Sequence, residues 1–254
     1  MKQCVVYLTE RQQEAPAQNN ILHLHVGKPF RNKKLKHEKK WDLMISTEFI
    51  VLEDEAGYWL MWKQNSNGDI PLHFAATFGH SNAVQALLER AKKVYEPADE
   101  VRMMLSMTSS NKDTALHEAA RAGHARVVEL LVQADPNCSN QYEPNEEAET
   151  PLYLAAEKGC TSSVLTILQN PNVLQHLAYK GPCGRTALHA AVQWGDSEMV
   201  SKMLEKDRLL IRIKNDEGLT QLHSTAVDYL QQQPLKTLLD YDKWSHQRCI
   251  SKTI

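Results

Sequence analysis

A short motif occurs four times in this chain in nearly the same form, and it constrains the fold more than any other feature. Each copy centres on a leucine followed by His or Tyr, and it ends in two alanines. The copies are Asp69–Ala76, Asp113–Ala120, Glu149–Ala156 and Arg185–Ala191. An apolar stripe at helical spacing, such as Val127, Val128, Leu130 and Leu131, follows the motif. One such unit cannot bury its apolar face alone, so the copies are predicted to stack on one another.

The copies recur at a nearly constant spacing. The residues two before the repeated leucine are Ile70, Thr114, Thr150, Thr186 and Thr220, spaced by 44, 36, 36 and 34 residues. A degenerate earlier copy lies at Asn20–Leu24, 50 residues before Ile70. The two longest intervals therefore predict insertions. The one at 91–110 is expected to be a lengthened helix followed by a mobile loop, with its Met-rich end, Met103–Leu105, packed against the stack.

The residues of one unit divide by task. Thr114 is predicted to cap a first helix by accepting from free N–H groups, and His117 to bond back across the same turn. Gly123 is predicted to end that helix in the left-handed conformation, which costs glycine little. The predicted structural residues of the copies are His73, Gly79, Thr114, His117, Gly123, Thr150, Gly159, Thr186, His189 and Gly195.

On these residues the chain resembles the ankyrin-repeat proteins, from about Asn20 to Asp242, whose period is about 33 residues. It is more narrowly similar to the plant ankyrin-repeat membrane proteins of the accelerated-cell-death type. That similarity is carried by Gln64–His73, Lys112–Ala119, Glu149–Gly159 and Gly184–Val192. The expected fold is an all-α solenoid of stacked helix pairs with β-hairpin or turn loops and degenerate terminal repeats.

The plant proteins usually continue into a Pro-Gly-Gly segment and several membrane spans, and this sequence has neither before Ile254. A truncated or spliced product, or a faulty gene model, is the expected explanation. The predicted organisation is a tail at 1–17, a degenerate first repeat at 18–27, a basic disordered insertion at 28–57, a repeat domain at 58–243 and a divergent tail at 244–254. Repeats in that domain are predicted to start near 66, 110, 146, 182 and 216.

Composition excludes several function classes. The formal net charge is -2, so the chain as a whole has no electrostatic attraction to nucleic acid or an anionic membrane. Its five cysteines form no Cys-x-x-Cys pair, which favours a reducing, cytosolic compartment. No stretch reaches the roughly 18 apolar residues of a membrane span.

Catalytic, cofactor and metal signatures are also missing from the sequence. There is no phosphate-binding glycine loop, nucleophile elbow or kinase signature. Five of the eleven histidines recur at one repeat position, and two more follow helix-ending glycines. His117 lacks the second histidine of a zinc-protease helix. We therefore predict a chain that is not an enzyme and binds no cofactor or metal.

Two local features leave alternatives open. The basic run from Lys28 to Lys40 is typical of a solvated, disordered insertion, or of a nuclear import signal that could also touch acidic lipid or nucleic acid. The apolar patch Tyr58–Trp62 could cover the end of the stack or anchor a partner.

Binding of a protein partner is the predicted function, because a helix-pair stack presents an extended concave surface. The predicted contact residues differ between copies: Phe74, Thr77, Phe78, Glu118, Arg121, Ala122, Tyr153, Glu157, Lys158, Gln193 and Trp194. Trp194 could equally line the groove or cover a helix end. The resemblance implies plant defence or stress signalling at the cytosolic face of the plasma membrane. A soluble nuclear or cytosolic adaptor is the alternative.

Overall fold

A computed structural model describes residues 60–93, 97–135, 137, 140–171, 173, 181–223 and 236–241. The predicted tail, the degenerate first repeat, the basic insertion, and residues Tyr58 and Trp59 of the apolar patch lie outside the described residues, as does 244–254. The regular secondary structure of the described part is helical, and no strand occurs within it. The predicted all-α solenoid is confirmed.

Four helix pairs follow one another along the chain. They are α1 (Pro71–Thr77) with α2 (Ser81–Ala91), α4 (Ala115–Ala122) with α5 (Ala125–Ala134), α6 (Pro151–Glu157) with α7 (Thr161–Gln169), and α8 (Ala187–Trp194) with α9 (Ser197–Lys206). We call these pairs repeats 1 to 4. The first helices pack side by side in the order α1, α4, α6, α8, and the second helices pack in the same order. The stack therefore has two layers.

Each first helix begins with the predicted capping arrangement or a close variant of it. The Thr114 hydroxyl accepts from the backbone N–H of His117, and the His117 Nδ1 accepts from the backbone N–H of Thr114 at 3.1 Å. The same reciprocal bonds occur at Thr186 with His189. These bonds satisfy amides that the first turn of a helix leaves without partners, which fixes where the helix starts.

Small residues and leucines share the core between the layers. Ala115, Ala119 and Ala120 of α4 are buried beside Leu116. The alanines let neighbouring first helices approach closely, and the leucine fills the space behind them. Because every repeat contributes the same buried set, the core runs continuously through the stack.

The segment between repeats 1 and 2 differs from the prediction of a lengthened helix and a mobile loop. It forms a separate helix, α3 (Pro97–Ser106), with Asp99 and Glu100 in its first turn. Val101, Met104 and Leu105 are buried, so this helix packs onto the stack, which confirms the packing predicted for the Met-rich end. The sequence signal for a helix start was present, since proline suits the first turn and carboxylates favour the positive end of the helix dipole.

Five turns lead into the first helices, and a side-chain oxygen organises most of them. We number them turns 1 to 5; they span 65–69, 109–113, 145–149, 181–185 and 215–219. The Asn145 Oδ1 accepts from the backbone N–H groups of Glu147 and Glu149 at 3.0 and 2.8 Å. Asn65, Ser109 and Asn215 make the corresponding pairs of bonds, as Asx and Ser turns do. Turn 4 has Gly181 at this position and makes no such bond.

The fourth residue of each turn has positive φ. Gly68, Gly184 and Gly218 hold this position in turns 1, 4 and 5, whereas Lys112 (φ 59°) and Ala148 (φ 61°) hold it in turns 2 and 3. A residue with a Cβ pays about 1–2 kcal/mol for this conformation, so turns 2 and 3 are strained.

Replacing Ala148 by glycine is therefore expected to raise the free energy of unfolding by about 0.5–1 kcal/mol, the strain relieved less the greater chain entropy of glycine. Chemical denaturation measures it. The reverse change, Gly218→Ala, is the control, because a Cβ there would have no atom within 4 Å and only the φ of 77° opposes it. A stabilising Gly218→Ala or a destabilising Ala148→Gly would contradict the strain at this position.

Candidate interaction face

One row of exposed and half-buried side chains runs along the outward side of the first helices. We define the first-helix face as the surface of these residues: Phe74, Thr77, Phe78, Glu118, Arg121, Ala122, Glu157, Lys158, Gln193 and Trp194. Because α1, α4, α6 and α8 pack side by side, each repeat places its own residues next to those of its neighbour.

Several of the predicted contact residues bond to, or stack on, a neighbouring side chain. The Thr77 hydroxyl donates to the Glu118 carboxylate at 3.0 Å and thereby joins repeats 1 and 2. In repeat 4 the Arg185 guanidinium donates to the Gln193 side-chain oxygen at 2.6 Å. Phe78 is exposed, and its ring stacks on His80 with centroids 6.1 Å apart. The face is therefore partly preorganised, and its side chains are aromatic in repeat 1, charged in repeats 2 and 3, and polar and aromatic in repeat 4.

Tyr153 is the exception among the predicted contact residues. Only 3% of its surface is exposed, because it occupies the position that histidine holds in the other copies and points into the stack. Its hydroxyl donates to the Glu157 carboxylate at 3.2 Å. Burial, together with the neighbouring Glu157, raises the pKa of Tyr153 to about 12. The ring is therefore part of the scaffold rather than of a contact surface.

Trp194 lies across the boundary between repeats 3 and 4. Its indole Nε1–H donates to the Glu157 carbonyl oxygen at 2.6 Å, yet 58% of the residue is exposed. The ring covers Gly159, where an added Cβ would lie 2.7 Å from Trp194 Cδ2. The two readings of Trp194 therefore combine, because one side of the ring covers a helix end and the rest belongs to the first-helix face.

Replacing Gly159 by alanine is expected to lower the free energy of unfolding by about 2 kcal/mol, from the left-handed φ of 73° and the displaced indole together. Gly195→Ala is the matched control: its φ is 74°, but nothing lies within 4 Å of an added Cβ, so about 1 kcal/mol is expected. Denaturation followed by tryptophan fluorescence measures both. Equal losses in the two variants would contradict this packing of Trp194.

Arg121 is the centre of a charged network beneath the face. Its guanidinium donates to Asp113 at 2.8 Å, to Glu118 at 2.8 Å and to Glu149 at 3.2 Å. The side-chain amide of Asn145 donates to Asp113 and Glu149 at 2.8 and 3.2 Å. Since Glu149 belongs to the next turn, the network ties repeats 2 and 3 together.

The network holds charge where water has little access. Burial disfavours the charge of Arg121, but the hydrogen bond to Asp113 and the neighbouring carboxylates outweigh it and raise its pKa. Burial raises the pKa of Glu118, and nearby Asp113 and Asp69 act in the same direction, while Arg121 opposes them. Three carboxylates share one guanidinium, so this part of the first-helix face is negative.

The histidines at the repeat position serve the scaffold. The Nε2 groups of His73 and His117 donate to the carbonyl oxygens of Asp113 and Glu149 at 3.0 and 3.2 Å, so each ring links its repeat to the next. No group of three or more His, Cys, Asp or Glu residues that could hold a metal ion occurs among the described residues.

Sequence reasoning missed the two buried carboxylates, Asp113 and Glu149. Both directly precede a capping threonine, and Asp69 occupies the same position in turn 1. An acidic residue repeating at that position was the available signal. The role of these carboxylates depends on their distance from the Arg121 guanidinium, and the repeat spacing alone does not give that distance.

Comparison with known families covers most of the stack. Ankyrin-repeat families match residues 23–88 (ankyrin repeats, many copies), 96–175 (ankyrin repeats, three copies) and 183–215 (ankyrin repeat). The chain is an ankyrin-repeat protein. Ankyrin repeats are in general protein–protein interaction modules and non-catalytic scaffolds.

A curated relative supports the same assignment. The chain is 41% identical over 73 residues to the Notch-regulated ankyrin repeat-containing protein A of Danio rerio. The match covers 28% of this ankyrin-repeat chain and 64% of the zebrafish protein. Among the described residues of our chain, no helix is both long and apolar enough to cross a membrane.

Proposed function

We propose that the first-helix face is the surface with which this chain binds a folded protein partner, without catalysing a reaction. The observation that supports this most is the identity of its side chains: large groups such as Phe78 and Trp194 stay exposed although the apolar residues around them are buried. Exposed aromatic residues at rigid positions are typical anchors of protein interfaces.

The electrostatics of the face favour selective binding. Phe74 and Phe78 supply apolar area in repeat 1, the Arg121 network supplies negative charge in repeat 2, and Gln193 and Trp194 supply polar and aromatic contacts in repeat 4. A partner that spans the face must match this order, because a misplaced carboxylate would lie against Glu118 and Glu157.

Partner capture with matched variants tests the proposal. The full chain is immobilised, and the proteins it retains are compared with those retained by Phe78→Ala and Trp194→Ala. Leu209→Ala is the control, because Leu209 is a large exposed apolar residue outside the face. We expect a retained protein to be lost in one or both face variants and kept by the control, with all variants equally helical by circular dichroism. Retention that is equal in all four chains would contradict the proposal.

We further propose, from the sequence similarity to the accelerated-cell-death type, that the partner acts in plant defence or stress signalling at the cytosolic face of a membrane. The shared runs around Thr114 and Thr150 support this. The test is fractionation of plant cells that express the tagged chain. Recovery in the plasma-membrane fraction is expected, and a Trp194→Ala or Phe78→Ala variant that stays there would show that the face does not mediate the association.

A second candidate function rests on the basic run from Lys28 to Lys40, which favours an adaptor that enters the nucleus. Replacing Lys33, Lys34, Lys36, Lys39 and Lys40 by glutamine is expected to lower the nuclear fraction of the tagged chain. The exposed pair Lys202 and Lys206 of α9, replaced in the same way, is the control. An unchanged nuclear fraction would remove this candidate.

A further inference from the structure

Adjacent repeats are tied together by backbone hydrogen bonds between their turns. In these bonds the second residue of one turn donates its N–H to the carbonyl of the third residue of the turn before. The pairs are Ser110 to Asn67 at 2.7 Å, Glu146 to Asn111 at 2.9 Å and Asp216 to Cys183 at 3.0 Å. They join turns 1 and 2, turns 2 and 3, and turns 4 and 5.

A second set of bonds repeats at the same junctions. The histidine of each first helix donates its Nε2–H to the carbonyl of the last residue of the next turn. The pairs are His73 to Asp113 at 3.0 Å, His117 to Glu149 at 3.2 Å and His189 to Leu219 at 3.4 Å. Both sets lie at the turn end of the first helices.

The junction between repeats 3 and 4 lacks both bonds, and the sequence gives the chemical reason. The second residue of turn 4 is Pro182, which has no N–H to donate to turn 3. The histidine position of repeat 3 is Tyr153, whose hydroxyl donates to Glu157 within its own helix. Turn 4 also differs in shape, since Cys183 has a φ of 56° and the third residues of the other turns have no positive φ.

The bonds at this junction lie at the opposite end of the first helices. The Trp194 indole bonds the Glu157 carbonyl, and the Thr161 hydroxyl bonds the Asp196 carboxylate. Each of these residues follows or ends a first helix of seven or eight residues, which places it about 11 Å from the turn end. Helix packing of α6 on α8 holds the layer between the two ends.

The junction between repeats 2 and 3 has the opposite character. Besides the two turn-end bonds, the Arg121 guanidinium reaches from Asp113 in turn 2 to Glu149 in turn 3. Repeat 1 joins this block through Thr77 and Glu118. Repeats 1 to 3 are therefore cross-linked at their turn ends, and repeat 4 with turn 5 is cross-linked separately.

We propose that the repeat 3–repeat 4 junction is a built-in hinge of this stack. Repeats 1 to 3 form one block, and repeat 4 with turn 5 forms the other. The turn ends of these two blocks move apart and together, while the contacts around Trp194 act as the pivot. Among the described residues no hydrogen bond joins turn 3 to turn 4. The same motion breaks two hydrogen bonds at the junction of turns 1 and 2, and at the junction of turns 2 and 3 it breaks two together with the Arg121 bridge. The motion changes the angle between the two halves of the first-helix face, so a partner that contacts both halves fixes one angle.

Distances between spin labels test the hinge in the full chain. Native cysteines are replaced by serine, and labels are attached at equivalent exposed positions of the turns, Asn67 with Glu147 in one protein and Glu147 with Glu217 in another. Each pair spans two junctions, at about 20 Å if neighbouring first helices are 8–10 Å apart. Only the second pair spans the proposed hinge.

We expect the distance distribution of the second pair to be at least twofold broader than that of the first. Pro182→Ala, which restores a donor N–H, is expected to narrow the second distribution, and Glu146→Pro, which removes the equivalent donor, to broaden the first. Circular dichroism and cooperative thermal unfolding check that each chain is folded. Equal distribution widths for the two label pairs in the starting proteins would overturn the hinge. So would variants without effect, that is, Pro182→Ala leaving the Glu147–Glu217 distribution unchanged and Glu146→Pro leaving the Asn67–Glu147 distribution unchanged. If one variant fails to fold, the comparison of the two starting proteins and the result for the other variant still decide the test.

Discussion

Replacing Arg121 by methionine is expected to lower the free energy of unfolding by about 3 kcal/mol, because removal of one partner of a buried ion pair leaves an uncompensated charge. The Asp113 and Glu149 side chains, 7% and 11% exposed, lose their cation. Arg121 itself is 38% exposed, which places the expected loss at the lower end of the range for buried pairs. Methionine keeps most of the aliphatic stem, so the loss reports on charge rather than on packing.

Arg126→Met is the matched control. Like Arg121, Arg126 bonds a glutamate three residues away in its own helix, Glu129 at 2.7 Å. This pair lies on the exposed side of α5, so the loss is expected to be about 0.5 kcal/mol or less. Adding Asp113→Asn to Arg121→Met removes one of the stranded charges and is expected to recover at least about 1 kcal/mol. Denaturant unfolding at pH 7 measures all four proteins. Equal losses of unfolding free energy for Arg121→Met and Arg126→Met would show that the Arg121 network stabilises the fold no more than an exposed ion pair does.

Acid is expected to destabilise the stack well above the range in which ordinary carboxylates titrate. Burial lowers the pKa of His117 from 6.5 to about 4, against the opposing charge of Asp113, and burial also lowers the pKa of His73. The folded state therefore binds these protons later than the unfolded state does. The stabilisation is complete above pH 6.5 and is lost as the pH falls toward 4, by about 3 kcal/mol for His117 alone.

His117→Gln separates this effect from general acid unfolding. A glutamine can accept from the Thr114 N–H and donate to the Glu149 carbonyl, but it does not titrate. We expect the variant to lose less of its unfolding free energy than the parent chain between pH 6.5 and 4. His223→Gln, at the same repeat position but exposed, is the control and is expected to follow the parent. Equal pH dependence of His117→Gln and the parent would exclude His117 as the cause.

The fold class follows from periodicity, and particular residues show why. The recurrence of Thr114, Leu116 and Gly123 at one spacing specifies a cap, a core residue and a helix end, each of which depends on local backbone chemistry. Such short-range effects depend on only a few consecutive residues. The helix α3 was missed because its signals, Pro97 and two acidic residues, lie outside the repeat pattern and were outweighed by the expectation of an insertion loop.

The contact residues of the first-helix face stay a prediction, since their exposure is compatible with binding and does not demonstrate it. Tyr153 shows how a pattern misleads here: it varies from copy to copy, as a contact residue does, yet it is buried because it replaces the repeat histidine. Variation at a scaffold position and variation at a binding position look alike in one sequence.

By itself, the sequence determined the repeat unit, its helices and the all-α stack, because caps, glycines and apolar spacing act over a few residues. Pro182 and Tyr153 were equally visible in it. Only the tertiary structure decided that both lie at one junction, that Trp194 bonds Glu157 at the opposite end of the first helices, and that Arg121 contacts Asp113 and Glu149 from two turns. Apart from the Arg121–Asp113 pair, those relations join residues 28 or more positions apart, and their energies depend on distance and burial, which spacing along a chain does not fix.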